Sequence, residues 1–507
     1  MKLDGLGWLR PASGWRADLA GFTLGALSAA ALPPLHVIPV LLIAVPGLLA
    51  LIDGARGPGG AARRGFWFGL GHHVFGLYWI TEAILLESAR YWWLVPLAVP
   101  ALSALLALFI AAPCAATKLA QPGWRRVAMF GGAWMLADLA RQYVGTGFPW
   151  NPLGSVWTIP GVAGDIMIQP AAMIGTPGLT LATVLLAATP SLGLRAVAGG
   201  AAVLLLWAGS GWYRLHQAAP RPTGLQAVLV QGNVTQGQKW DRQAMLEAFD
   251  RQLALTREGV ARAGAEPTIV IWPETSVAFL LQYDEAARKA VMDAAKPAVA
   301  ALVGGLTFDA PPSRGTLDTN PPYNSLLALT PNAEIAGIYS KWHLVPFGEF
   351  APSWVPFSIQ VVPGRFGFGS GPQTLHVPGI PAFGPLICYE AVYPAQVIDE
   401  ADRPAWMVNI TNDAWFGNST GPRQHLAAAR LRAVEEGLPL LRAANTGITA
   451  AFDARGHELA RTVLNTPAVL TLSIPGPRPA TSFSRWGLVI PGLLSLLSIG
   501  LGLRRRG

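Results

Sequence analysis

Hydrophobic and polar positions fall into two regimes along the chain. Up to about residue 215, apolar residues run in long stretches separated by short polar or Pro/Gly-containing turns. They lie near Leu19–Pro34, Val37–Ile52, Gly65–Leu86, Tyr91–Ala111, Val127–Leu139, Ile166–Leu192 and Val197–Trp212, with an eighth near Trp486–Leu503. A helix that crosses a bilayer needs roughly 20 apolar residues. Several stretches are shorter, so the pattern predicts about seven spans over 1–215 and one over 484–507, with soft boundaries. Ser28-Ala29-Ala30-Ala31, after a basic start, could serve as a signal-cleavage site. The spans that follow favour an uncleaved anchor.

From Gly224 to Pro475 the pattern changes to short apolar runs alternating with amphipathic stretches. Leu225–Val234, Thr268–Trp272, Ala301–Phe308, Ala382–Cys388, Trp406–Thr411 and Thr446–Phe452 read as strands. Ser325–Thr330 and Glu334–Ser340 read as a hairpin, and Arg242–Ala263, Asp284–Ala298 and His425–Glu436 as helices. Such alternation predicts one layered α/β domain over 224–475. Pro363–Pro372, rich in glycine and without periodicity, reads as a mobile loop with no assigned role.

Composition supports the division. Of 507 residues 52% are hydrophobic and 13% charged, and mean hydropathy is +0.38, too apolar for a soluble enzyme of this length. The net charge of +8 resides in short loops. Lys2, Arg10 and Arg16, then Arg56, Arg63 and Arg64, then Lys118, Arg125 and Arg126, then Arg195, then Arg504–Arg506 follow every second span. That periodicity is a topology signal rather than a nucleic-acid footprint. By the positive-inside rule these loops are cytoplasmic, and 224–475 faces the opposite side. The two cysteines, Cys114 and Cys388, allow at most one disulfide, and neither Cys-x-x-Cys nor His-Glu-x-x-His occurs, so no metal and no cofactor is expected.

Three chemically capable residues fall at predicted strand ends: Glu274 after Thr-Ile-Val-Ile-Trp-Pro, Lys341 after Tyr-Ser, and Cys388 after Phe-Gly-Pro-Leu-Ile. A thiol needs a base to become a nucleophile, and Glu274 is one. Attack on a carbonyl builds an oxyanion, which a lysine ammonium and the Tyr389 backbone N–H can stabilise. Each residue alone has a plain structural reading; the set of three fits acyl transfer.

The segments Trp272-Pro-Glu-Thr, Tyr339-x-Lys-x-His-Leu-Val-Pro-Phe-Gly-Glu, Ile387-Cys-Tyr-Glu and Asn409-Ile-Thr-Asn-Asp-Ala-Trp-Phe-Gly together resemble the nitrilase superfamily. With the flanking spans and Gly147-Phe-Pro-Trp in an outer loop, the whole chain resembles the apolipoprotein N-acyltransferases. The resemblance implies a multipass α-helical membrane domain joined to an α/β nitrilase-like domain, an αββα sandwich. It implies Glu274 as general base, Lys341 as transition-state stabiliser and Cys388 as nucleophile. Glu349 is expected to orient Lys341, with Tyr389 and Glu390 in support. Trp240, Asn324, Trp415 and Phe416 are implied as substrate-binding residues, the last two on a mobile arm near the acyl chains. The implied reaction is two-step acyl transfer, from a phospholipid, typically phosphatidylethanolamine, to the diacylglyceryl-cysteine of an apolipoprotein. The implied place is the bacterial inner membrane, with the catalytic domain in the periplasm.

Other readings compete. Gly417-Asn-Ser-Thr-Gly421, followed by Asp453 and His457, has the order of a serine-hydrolase triad, but a loop separates it from the preceding strand, where a sharp turn is needed. His72-His73 lies inside an apolar segment, where ionisable residues hint at function or pack against a neighbour. Cys114 reads as a packed thiol. A membrane-tethered amidase, a scaffold carrying an inactive domain and a transporter are the rival functions.

Overall fold

The computed structural model describes residues 13–86, 88–235, 242–277, 279–312, 320–352 and 365–503. The chain forms two compact units: Ala218–Ser484, and the residues before and after it.

In the first unit every apolar segment contains a helix: Gly14–Ala29, Leu41–Gly54, Gly57–Gly76, Val95–Ala116, Trp124–Ala140, Ala171–Ala188, Leu194–Leu215 and Val489–Gly502. Among the described residues, three helical stretches are long and apolar enough to cross a membrane: Ser88–Leu119, Ala171–Leu192 and Leu194–Leu215. Ile38–Gly54 and Val489–Gly502 are shorter apolar helices. The segment read as continuous over Gly65–Leu86 is broken, because Gly57–Gly76 ends and a short helix, Ile80–Leu85, follows.

Small residues set the helix packing, since the hydrophobic effect does little to hold helices together in lipid. The helix Gly57–Gly76 carries glycines toward two neighbours. A Cβ at Gly25 would lie 1.9 Å from the Phe68 carbonyl oxygen, and one at Gly71 2.1 Å from that of Phe22. On the other side, a Cβ at Gly65 would meet the Cys114 sulfur at 2.5 Å, and one at Gly69 would meet the Ala107 Cα at 2.8 Å. Cys114 is therefore a packed thiol. His72 Nδ1 lies 2.8 Å from the Ser28 hydroxyl, with the His73 ring edge-on at 5.1 Å, so this pair is tied into helix packing. Asp18 receives Arg63 and Arg64, each at 2.6 Å.

Among its described residues the second unit has eleven strands: β1 Gln226–Gln231, β2 Thr268–Ile271, β3 Ala300–Thr307, β4 Tyr323–Leu329, β5 Ile335–Ser340, β6 Phe383–Ile387, β7 Trp406–Thr411, β8 Leu440–Ala444, β9 Ala450–Phe452, β10 Glu458–Arg461 and β11 Ala468–Ser473. They form two sheets, β11-β1-β2-β3-β4-β5 and β10-β9-β8-β7-β6. β1, β2 and β3 are parallel, as are β6, β7 and β8. The expected hairpin is present as β4–β5, with Ser325 opposite Ser340.

Alternation along each strand sorts side chains between two cores. Ala227 and Leu229 of β1, Ile269 and Ile271 of β2, and Leu302 of β3 point inward. There they meet Ile387 of β6, Trp406, Val408 and Ile410 of β7, and Leu441 of β8. Val228, Val230, Val270 and Val303 point outward against Phe249, Leu253, Val291 and Met292 on the helices Arg242–Ala263 and Glu285–Ala295. The helix Gly421–Glu436 covers the other sheet, with Ala429 and Ala433 against Met407, Leu440 and Phe452. The unit is thus an αββα sandwich, as the resemblance implied. Because interior strands are covered on both faces, they read as unbroken apolar runs. β8 escapes that signature because Arg442 sits in its middle, and β10, half exposed at the sheet edge, is too short to carry a pattern.

Close packing of the helices Gly14–Ala29 and Gly57–Gly76 can be tested at Gly25. Gly25→Val, which drives side-chain atoms into the Phe68 backbone, is expected to cost about 1–3 kcal/mol and to lower the thermal midpoint in detergent. Gly199→Ala, whose Cβ meets nothing within 4 Å, is expected to leave that midpoint unchanged or slightly raised.

Candidate active site

Parallel strands bring their carboxyl ends to one edge, and the loops leaving those ends carry the polar groups. Glu274 follows β2, Lys341 follows β5, Cys388 follows β6 and Asn412 follows β7. Glu274 joins the two sheets: its Oε2 accepts the Asn412 N–H at 2.6 Å, and its Oε1 accepts the Asn324 amide at 2.6 Å. The same Asn324 amide donates to Glu349 Oε1 at 3.1 Å.

Lys341 lies between two carboxylates. Its Nζ is 2.9 Å from Glu349 and 3.5 Å from Glu274 Oε1, and its side chain is 1% exposed. Burial opposes its charge, but Glu349 and Glu274 outweigh burial and hold the ammonium above the ordinary lysine value. Glu349 is fixed in turn by the Val345 N–H at 2.8 Å on Oε2. Two carboxylates and one ammonium leave a net negative charge beside Cys388. Burial pushes the Cys388 thiol up, Glu274 pushes it the same way, and Lys341 pulls against both.

Cys388 has φ +51, in the left-handed region, which costs a residue with a Cβ about 1–2 kcal/mol. Two anchors offset that cost. Glu390, wholly buried, accepts the Ile387 N–H at 2.6 Å and the Tyr339 hydroxyl at 2.9 Å on Oε2. Its Oε1 accepts the Trp342 N–H at 2.8 Å. One carboxylate thus braces the Cys388 turn, the Tyr339 side chain of β5 and the backbone just after Lys341. Burial pushes the Glu390 carboxyl up to about 7, against the Ile387 and Trp342 N–H groups. The second anchor is His425, whose Nε2 donates to the Cys388 carbonyl at 2.9 Å. His425 Nδ1 lies 2.9 Å from Asp413 Oδ1, and Arg442 donates to Asp413 Oδ2 at 2.7 Å. Burial opposes the Asp413 charge, yet Arg442 and His425 bring its carboxyl down to about 2.

Neither Asp413, His425 nor Arg442 stood out as a site residue in the sequence. Their signal was a charged residue in an otherwise apolar strand, Leu440-Leu-Arg-Ala-Ala, and an Asp two residues past the end of β7. Among the implied substrate-binding residues, Asn324 lies in the carboxylate cluster. Trp415 and Phe416 are on the short turn Asp413–Phe416, and the Phe416 ring stands edge-on to His425 at 5.8 Å. Trp240 lies outside the described residues. Tyr389 is buried, its ring edge-on to Tyr393 at 5.3 Å, while Tyr393 stacks on His343 at 3.8 Å.

The glycine-rich stretch is more engaged than its composition suggested. Among its described residues, the Phe366 N–H donates to the Glu349 carbonyl at 3.1 Å, and the Gly369 N–H donates to the Lys341 carbonyl at 2.8 Å. A Cβ at Gly369 would sit 2.0 Å from the Ser340 carbonyl oxygen, so only glycine fits where the loop crosses the lysine strand. The serine-hydrolase reading loses its parts. The Ser419 hydroxyl bonds the Phe416 carbonyl and the Gly421 N–H at the start of a helix. Asp453 closes the β9–β10 turn through the Arg455 and His457 N–H groups.

Comparison with known proteins agrees with this architecture. Residues 226–477 match the carbon-nitrogen hydrolase family model, and residues 24–189 match that of the apolipoprotein N-acyltransferase N-terminal domain. The chain is 37% identical to the apolipoprotein N-acyltransferase of Bradyrhizobium diazoefficiens, over 97% of this chain and 96% of the relative. It is 35% identical to that of Brucella melitensis, over the same shares. Among solved structures, an amidase from Nesterenkonia sp. matches with TM-score 0.35 and 18% identity, over 51% of this chain and 92% of the amidase. A carbon-nitrogen hydrolase from Helicobacter pylori matches with TM-score 0.37 and 15% identity, over 55% of this chain and 95% of that one. With two domain models matched in sequence order and full-length relatives above one-third identity, the chain belongs to the apolipoprotein N-acyltransferase family.

Proposed function

We infer that this chain N-acylates apolipoproteins, moving a fatty acyl group from a phospholipid through a thioester on Cys388. The observation that carries the reading is the buried Glu274–Lys341–Cys388 set, at one edge of the sandwich in a chain that also carries apolar helices.

The charge balance of the site favours internal proton transfer. Losing the thiol proton to water would place a second net negative charge in a dry pocket. Passing it to Glu274 leaves the total unchanged, and Lys341 lies 3.5 Å from Glu274 Oε1. In the first step the Cys388 sulfur attacks an ester carbonyl while Glu274 takes its proton. The oxyanion forms against the Lys341 ammonium and the Tyr389 N–H. The C–O bond then breaks and the leaving oxygen takes the proton from Glu274, giving a lysophospholipid. In the second step an α-amine attacks the thioester and gives its proton to Glu274. The C–S bond breaks and the proton returns to sulfur. One nucleophile serving two substrates in turn implies ping-pong kinetics.

The acceptor is the diacylglyceryl-cysteine of an apolipoprotein, and phosphatidylethanolamine is the donor we favour. Basic loops after alternate spans support an inner-membrane enzyme with Ala218–Ser484 in the periplasm. Apolar helices in the same chain suit a reaction in which donor and acceptor are both lipids.

Intact-mass measurement after incubation with phosphatidylethanolamine and no acceptor tests the thioester. Wild-type protein is expected to gain one acyl group that neutral hydroxylamine removes, and Cys388→Ser to gain none. An unmodified wild type would overturn the reading; continuous release of free fatty acid would replace it with a hydrolase. The brace is tested at Glu390. A glutamine there turns an N–H toward N–H or O–H donors, a mismatch worth about 1–3 kcal/mol. Glu390→Gln is expected to slow thioester formation roughly 5- to 100-fold, read as the single-turnover rate.

A further inference from the structure

We propose that His425 is a positioning residue for the oxyanion site, acting through the peptide unit that joins Cys388 to Tyr389. The proposal rests on the acyl-transfer reading above. A carbonyl oxygen only accepts, so the 2.9 Å contact from His425 Nε2 to the Cys388 oxygen fixes the proton on Nε2. In a trans peptide the C=O and the N–H point in opposite directions. Whatever holds the Cys388 oxygen therefore aims the Tyr389 N–H, one of the two groups assigned to the oxyanion. The held bond also polarises the peptide, which makes that N–H a stronger donor.

The imidazole is flanked in turn. Asp413 Oδ1 lies 2.9 Å from Nδ1, and Arg442, whose Nη2 is 3.1 Å from the same nitrogen, donates to Asp413 Oδ2 and so fixes that carboxylate against the ring. The Thr411 hydroxyl donates to Asp413 Oδ1 at 3.0 Å, and Arg442 Nη1 donates to Asn409 Oδ1. Asn409 returns to the nucleophile's strand, its amide donating to the Leu386 carbonyl at 3.2 Å. His425, Asp413 and Arg442 are each wholly buried or nearly so, so water does not substitute for any of them. A buried histidine that only filled space would have no need to reach the one carbonyl that belongs to the nucleophile, at a residue with φ +51.

Amide side chains separate the two ring nitrogens, since an asparagine amide reaches the place of Nδ1 and a glutamine amide that of Nε2. The test compares wild type, His425→Gln, His425→Asn and His425→Leu, each as full-length protein in detergent with phosphatidylethanolamine micelles. Two rates are read: thioester formation at Cys388, and alkylation of Cys388 by iodoacetamide. Alkylation needs the thiolate but builds no oxyanion. Loss of aim at one oxyanion donor is expected to slow thioester formation about 10- to 100-fold in the Asn and Leu variants. Alkylation is expected to stay within about twofold, and Gln to restore thioester formation to within about fivefold of wild type. Unchanged thioester formation in Asn and Leu would overturn the proposal. So would a parallel fall in both rates, which would make His425 a support for the nucleophile alone. If the His425 variants do not fold, Asp413→Asn takes their place, with the same selective loss expected and the same two outcomes overturning it. A wild type that forms no thioester would remove the acyl-transfer reading itself, a result separate from any difference among variants.

Discussion

The site depends on a single buried ammonium. Lys341, 1% exposed, is charged inside the sandwich only because Glu349 at 2.9 Å and Glu274 at 3.5 Å surround it. Removing both partners would leave the ammonium unpaired away from water, the costly way to break a buried ion cluster. Asn324 couples the two carboxylates by donating to both. The cluster is therefore one electrostatic unit, and it sets what Cys388 can do. Burial and Glu274 push the Cys388 thiol up, and Lys341 pulls against them.

Around this unit the backbone is held by further buried polar groups. Glu390 gathers donors from three places, the turn of Cys388, Tyr339 of β5 and Trp342. It keeps the Cys388 turn and the lysine strand in one frame although they belong to different sheets. Asp413, His425 and Arg442 hold the Cys388 carbonyl from within its own sheet and the helix that covers it. Gly369 lets a loop lie directly on the lysine strand. Left-handed backbone at Cys388 survives because these contacts over-determine it.

The first unit solves a different problem with different residues. Gly25, Gly65, Gly69 and Gly71 let helix backbones touch, and dispersion and geometry replace the hydrophobic effect as the source of cohesion. Sequence reading finds these helices easily because apolar length is a one-dimensional property. Their ends are harder: the break between Gly57–Gly76 and Ile80–Leu85 lies inside a segment that reads as continuous.

What the sequence alone determined was therefore whatever depends on local order. Apolar length gave the helical unit, and apolar runs alternating with amphipathic stretches gave the α/β domain. Glu274, Lys341 and Cys388 each stood after a run that reads as a strand. β8 escaped because a buried arginine interrupts its apolar run, and β10 because four residues at a sheet edge are too few to carry a pattern. Only tertiary structure decided how the sheets face each other, since inward and outward residues are equally apolar. Only it carried Glu390 to β5, and brought Asp413, His425 and Arg442 together behind the Cys388 carbonyl. Those residues are charged or polar and distant in sequence. Their meaning lies in what they neutralise, and that partner is fixed by the fold rather than by the neighbouring residues.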